Sequence, residues 1–252
     1  MKRRGMANSL SQHSRPEIAR IERRLFLKQG LSLGALALLS GCELTDDESV
    51  QKVLRAMSRW NDRAQGWLFN PSKLAPEYPE SAITKPFPFN AYYSVDEVRE
   101  VDGKDYKLEV GGMIDSKEPW TLDKLYALPQ VSQITRHVCV EGWSAIGSWQ
   151  GVRLSEFLKR IGADTRAKYV WFQCAEGYSN TIDMATALHP QTHLSFKFDY
   201  QILPRKYGFP MKCRIPTKLG FKNPKYITAL YVQDNDAGGY WENQGYNWFS
   251  GL

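Results

Sequence analysis

From about residue 104 to its end, the chain carries apolar patterns only in short runs that glycine and proline keep interrupting. That punctuation predicts short strands and short helices for this stretch. Tyr106, Leu108 and Val110 alternate and stop at Gly111-Gly112, which predicts a strand and a turn. Thr121 is placed to cap a short helix reaching Leu128, where Pro129 stops it. Residues 131–140 read as a strand. Leu154, Phe157, Leu158 and Ile161 make a helical stripe that Gly162 ends. Residues 169–174, 178–182, 194–198 and 226–233 are further β-rich runs. Residues 234–252, rich in Gly, Trp and Tyr, read as irregular but packed. The expected fold class is α+β, with mixed sheets of short strands and short helices.

The upstream half has a different texture. Val53, Leu54, Met57 and Trp60 recur at helical spacing, so a helix is expected from Val50. Pro71, Pro76, Pro79, Pro86 and Pro88 then forbid regular helix or central strand and predict an extended arm. The arm delivers Phe89-Asn90-Ala91-Tyr92-Tyr93 to the body. The expected divisions are an address at 1–41, a tether, helix and Pro-rich arm at 42–89, and a folded body at 90–252.

Charge is confined to the address. Residues 1–41 hold 8 Lys and Arg against 2 Asp and Glu, which accounts for the whole chain's net +6. The body is neutral and has no bulk electrostatic reason to bind nucleic acid. Arg23-Arg24-Leu25-Phe26-Leu27-Lys28 is a twin-arginine export motif, followed by a mildly apolar run from Gly30 to Leu39. That run is shorter than the ~20 residues of a spanning helix and suits a signal segment. Leu39-Ser40-Gly41-Cys42 resembles a bacterial lipobox, so lipidation of Cys42 and attachment to a membrane surface are expected. The twin-arginine route serves proteins that fold before export, often around a cofactor. The expected location is therefore the periplasm.

Besides Cys42, the cysteines are Cys139, Cys174 and Cys213. Three thiols cannot all pair, and no C-x-x-C supports a zinc ribbon. The densest chemistry is Arg136-His137-Val138-Cys139-Val140-Glu141-Gly142-Trp143. On a strand, His137 and Cys139 share one face and Arg136 and Val138 the other. A cysteine at a strand end before a glycine turn is placed to face a cavity. It can be a buried small hydrophobe, a nucleophile with His137, His189 or His193 as base, or a soft ligand to a metal. A second cluster, Lys212, Lys218, Lys222 and Lys225 around Gly220 and Asn223-Pro224, can aim ammonium and N–H groups at a phosphate. A thiolate and a phosphate cradle together suggest a metal held by a phosphorylated organic cofactor.

R-x-x-C-V-E-G-W, followed by W-x-G-V-x-L, resembles the sulfite oxidase family of molybdopterin enzymes. The likeness is to its bacterial periplasmic branch, which contains the catalytic subunit of protein-methionine-sulfoxide reductase. It runs from about Ile83 to Gln233 and implies a sulfite-oxidase-type molybdopterin-binding oxidoreductase domain over 90–252. It also implies one molybdenum-molybdopterin per chain, with Cys139 as the thiolate on the metal. Asn90, Tyr93 and Ser94 match the segment closing over the pterin, and Cys174 stands where the family has a small polar residue. Tyr207 and Lys212 occupy a motif that usually begins with Asn or His and ends in Arg. Asn223, Pro224 and Lys225 match the run that holds the cofactor phosphate. Arg136 is the candidate for orienting anionic cofactor or substrate groups. The resemblance further implies oxygen-atom transfer, as reduction of an S-oxide or N-oxide, by a monomer that takes electrons from a membrane haem b protein. Two other classes stay open: a cofactor-free thiol hydrolase and a non-catalytic envelope binding module.

Overall fold

The computed structural model describes residues 48–70 and 72–252. Two compact units divide the chain, Met1–Arg59 and Trp60–Leu252. The twin-arginine motif, the lipobox and Cys42 lie outside the described residues. In the first unit the described residues begin helix α1 (Glu48–Leu68), the helix expected from its apolar spacing. Its stripe residues Val53, Leu54 and Met57 are exposed. No described helix is long and apolar enough to cross a membrane.

The second unit is built on two five-stranded sheets. One runs β2 (Trp120–Thr121), β1 (Lys107–Gly112), β10 (Ile227–Gln233), β5 (Tyr169–Cys174), β6 (Ser179–Asp183). Strands β1 and β10 are parallel and the other neighbours antiparallel, so the sheet is mixed. The other sheet runs β3 (Val131–Val138), β4 (Ser144–Arg153), β7 (His193–Phe198), β8 (Gln201–Ile202), with β9 (Lys212–Arg214) also paired to β7. Short helices α2 (Leu122–Tyr126), α3 (Leu154–Arg160) and α4 (Met184–Leu188) complete it. Thr121 caps α2 by accepting from the Lys124 N–H at 3.4 Å.

The alternation in β1 buries Leu108 and Val110, and the stripe of α3 buries Leu154, Phe157 and Leu158. These join Val170, Phe172, Ile227 and Leu230 in one core. Full burial of each such side chain contributes about 1.5–3 kcal/mol. A second core gathers Phe87, Trp149, Phe198, Leu203 and Tyr207. The Pro-rich arm reaches this core along the second sheet. Tyr78 N–H donates to the Ile134 carbonyl at 3.0 Å and Thr84 N–H to the Ile146 carbonyl at 2.9 Å, so the arm's backbone is paired where it cannot form a full strand. Strand β4 departs from the short-run expectation. Its glycines hid it in the sequence, yet Gly151 is there because a Cβ would lie 1.8 Å from the Leu194 carbonyl oxygen of β7.

Candidate active site

Strands β3 and β5 end in the same way. After β3, Cys139-Val140-Glu141-Gly142-Trp143 closes a tight turn. Cys139 N–H donates to the Trp143 carbonyl at 2.9 Å and Gly142 N–H to the Cys139 carbonyl at 3.2 Å. After β5, Cys174-Ala175-Glu176-Gly177-Tyr178 repeats both bonds at 2.9 and 3.2 Å. Gly142 and Gly177 have φ of +91° and +80°, the left-handed region that a glycine enters without steric cost. Each turn therefore sends a glutamate outward. Glu141 and Glu176 both line a cleft of about 160 Å³, together with Asn90, Tyr93, Cys139 and Lys225.

Only the first turn offers its sulfur to that cleft. Asn90 Nδ2 donates to Cys139 Sγ at 3.4 Å, and the thiol donates to Glu141 Oε2 at 3.6 Å. Burial pushes the Cys139 thiol up and the Glu141 carboxylate adds to this, while the Glu141 N–H and the Asn90 amide pull it down. No described histidine bonds it. His189 Nε2 lies 3.1 Å from the Lys73 carbonyl oxygen, and His193 Nδ1 lies 2.7 Å from Gln133 Nε2. His137, two residues from Cys139, is held neutral by burial and by Lys212, Arg214 and Lys225. The Cys–His pair that a thiol hydrolase needs is thus absent among the described residues.

Two buried lysines lie here: Lys225 lines the cleft and Lys212 is bridged to it. Lys212 is 2% exposed, has no carboxylate partner among the described residues, and sits 4.8 Å over the Trp149 ring. Burial, then Lys225 and Arg214, push its ammonium well down. Lys225 Nζ donates to the Asn90 carbonyl at 2.6 Å, and burial draws its pKa down to about 8. Both ring nitrogens of His137 are buried without a partner. Buried polar groups left so are completed by a ligand that offers them hydrogen-bond partners, and an anionic one would draw the Lys212 ammonium back up. No group of His, Cys, Asp and Glu among the described residues could hold a bare metal ion. A metal on Cys139 must bring its other ligands with it. A phosphorylated organic cofactor carrying a metal fits this donor set.

The remaining expectations divide. Asn90, Tyr93, Cys139, Asn223, Pro224 and Lys225 all line the cleft. The Asn223 side chain is spent on the fold, its Oδ1 accepting from Arg214 and from the Ile215 N–H, each at 2.8 Å. Arg136 is not brought to the cleft. It is exposed on the strand face opposite Cys139, as period two requires, and its carbonyl accepts from Arg214 at 2.7 Å. Ser94 is exposed and caps a 3-10 turn with Glu97. Cys174 points into the main core, where burial pushes its thiol well up. Tyr207 packs in the second core and its hydroxyl donates to the Phe87 carbonyl at 2.6 Å. Cys174 and Cys213 are both free thiols. Of the four clustered lysines, Lys218 and Lys222 fasten the C-terminal tail. Lys218 donates to the Phe249 carbonyl at 2.9 Å and Lys222 pairs with Glu242. Sequence reasoning missed Glu176, although C-A-E-G-Y repeats the spacing of C-V-E-G-W. It also missed the aromatic wall of Tyr92, Tyr178, Trp241 and Tyr246, which only the tertiary fold assembles.

Residues 95–241 match the family described as oxidoreductase molybdopterin binding domain. The chain is 64% identical to a putative protein-methionine-sulfoxide reductase subunit YedZ1 of Azospira oryzae, over 91% of this chain and 87% of that protein. It is 27% identical to the protein-methionine-sulfoxide reductase catalytic subunit MsrP of Ralstonia nicotianae, over 74% of this chain and 66% of the relative. It is 29% identical to the mitochondrial sulfite oxidase of Drosophila melanogaster, over 60% of this chain and 31% of the relative. Among solved structures, the sulfane dehydrogenase SoxCD of Paracoccus pantotrophus shares the fold, with a TM-score of 0.52 and 18% identity. That match covers 56% of this chain and 41% of the other.

Proposed function

The chain belongs to the oxidoreductase molybdopterin-binding family, within the sulfite oxidase group, and on that premise we propose that it reduces an S-oxide in the cell envelope. The single observation that carries this reading is the cleft, lined by the thiol of Cys139 and by Lys225, with the buried Lys212 bridged to Lys225 and without a carboxylate partner among the described residues. Molybdenum-molybdopterin, when bound, would supply two-electron oxygen-atom transfer. Cys139 would hold the metal as a thiolate. Lys212, Lys225 and the backbone of Asn223-Pro224 would hold the cofactor's phosphate, with His137 completing its polar edge. Asn90 would keep the sulfur oriented through its amide, and its carbonyl would keep Lys225 in place.

Residues 1–41 are proposed as a twin-arginine export signal, which suits a protein that folds around its cofactor before export. Cys42 is the proposed lipid attachment point, and residues 42–89 the tether, helix and arm ahead of the body at 90–252. A membrane haem b protein is the proposed electron donor, which a lipid anchor would keep close. The test is oxidation of a reduced viologen dye by methionine sulfoxide, using protein purified from cells that make the cofactor. Wild type should turn over, and Cys139→Ala should lose at least about a thousandfold, the scale of a loss of preorganised catalytic groups. Equal turnover by the two proteins would overturn the reading.

A further inference from the structure

The cleft is electrically polarised. Its wall carries Lys225, 8% exposed, and Lys212 is bridged to Lys225 outside the lining. The twin turns deliver two carboxyl groups to the same cleft, the exposed Glu141 and the half-buried Glu176, which also interacts with Lys225. Each uses one oxygen internally: Glu141 Oε2 accepts from the Trp143 indole at 2.9 Å, and Glu176 Oε2 accepts from the Tyr93 hydroxyl. Each Oε1 has no hydrogen-bond donor among the described residues.

An independent feature of the same mouth is its aromatic wall. Tyr92 stacks on Tyr240 with ring centroids 4.8 Å apart and meets Trp241 edge-on at 5.9 Å. Trp241 meets Tyr246 at 4.9 Å. Tyr92, Tyr178, Trp241 and Tyr246 line the cleft. The wall is held from behind, because Glu242, next to Trp241, is paired with the buried Lys222. Aromatic faces beside carboxylates attract a cation through both the ring quadrupole and the charge. The same surroundings repel an anion. Lys225, the only described ammonium lining this cleft, sets one positive charge against two carboxyl groups and is itself offset by Glu176.

We propose that the mouth of this cleft selects by charge: it takes S-oxides that carry a positive group near the sulfoxide and turns anionic substrates away, with Glu141 and Glu176 as the selecting residues. The proposal rests on the reductase reading above and adds the substrate class to it. It separates the chain from any relative that must accept an anion such as sulfite at the same place.

A series with one reacting group and three charges tests it. At pH 6, methionine sulfoxide methyl ester carries about +1, methionine sulfoxide is neutral overall, and N-acetyl-methionine sulfoxide carries −1. With the molybdenum-loaded enzyme at low salt, kcat/KM should fall in that order, by about fivefold or more per charge. Glu176→Gln and Glu141→Gln should each compress the span between the +1 and −1 substrates, and 0.5 M salt should compress it in wild type. A flat or reversed order in wild type, or a span unchanged in both variants, would overturn the proposal while leaving the reductase reading intact. If the loaded enzyme reduces none of the three, the reductase reading fails, and titration with tetramethylammonium decides the selectivity alone. Saturable quenching of tryptophan fluorescence, lost in the Glu141→Gln/Glu176→Gln double variant, would uphold cation selection; its absence in wild type would overturn it.

Discussion

The turns at 139–143 and 174–178 share a backbone and differ in outcome. Both begin at a strand-end cysteine, close through the same two hydrogen bonds, and use a glycine at positive φ to send a glutamate into the cleft. Yet Cys139 Sγ meets Asn90 and Glu141 at the cleft, while Cys174 is packed with Ile227 and Tyr106 in the core. The difference comes from what lies opposite. Across from the first turn the Pro-rich arm brings Asn90, a polar partner. Across from the second, β10 brings Ile227, directly paired with Cys174. A local motif sets where a side chain starts; the neighbouring segment decides whether it meets solvent and ligand or core.

The comparison is sharpest in thiol reactivity. In cofactor-free protein, iodoacetamide should label Cys139 on the order of a hundredfold faster than Cys174, because only one sulfur opens on the cleft. Peptide mass spectrometry over a time course would show it, and equal rates would erase the distinction. Stability should split the opposite way. Cys174→Ala leaves a gap in the core and should cost about 2 kcal/mol, against less than about 0.5 kcal/mol for Cys139→Ala, in urea unfolding of the cofactor-free protein. The two glycines should behave alike. A Cβ at Gly142 or Gly177 meets nothing within 4 Å, so Ala at either should cost only the left-handed penalty, about 1–2 kcal/mol. A large difference between them would mean that the turns are not equivalent.

A further expected effect is in pH. Burial holds Lys225 at about 8, below its ordinary 10.5, so between those values the unfolded chain binds more protons than the folded one. Stability of the cofactor-free protein should therefore gain from this group as pH rises from 8 towards 10.5. Below pH 8 the buried charge is a standing cost. Lys225→Met should flatten that part of a thermal-melt profile. An unchanged profile would remove Lys225 as the cause.

Much of the site was legible where local rules suffice. Period two in β3 already separated Arg136 from Cys139, and the structure keeps them on opposite faces. The role given to Arg136 ignored that alternation. The cradle run at 220–225 showed its turn residues openly, and Lys225 does line the cleft. Tyr207 and Cys174 could not be placed by motif position, because their burial depends on Phe87 and Ile227, far away in sequence. Lys212 was legible only as one of four clustered lysines directed at a phosphate. Its isolation above Trp149 exists only once β9 pairs with β7. Strand β4 drew no expectation from the sequence, and its Gly147 and Gly151 allow Phe198 and the β7 backbone to approach.

Cys139, and not its twin, is the residue proposed to hold a molybdenum cofactor. The direct measurement is molybdenum per chain by elemental mass spectrometry on natively exported wild type, Cys139→Ala and Cys174→Ala. The account predicts about one atom per chain in wild type and in Cys174→Ala, retained by the buried cations and the thiolate, and loss of the metal in Cys139→Ala. Wild type without molybdenum, from cells able to make the cofactor, or equal molybdenum in all three proteins, would contradict it.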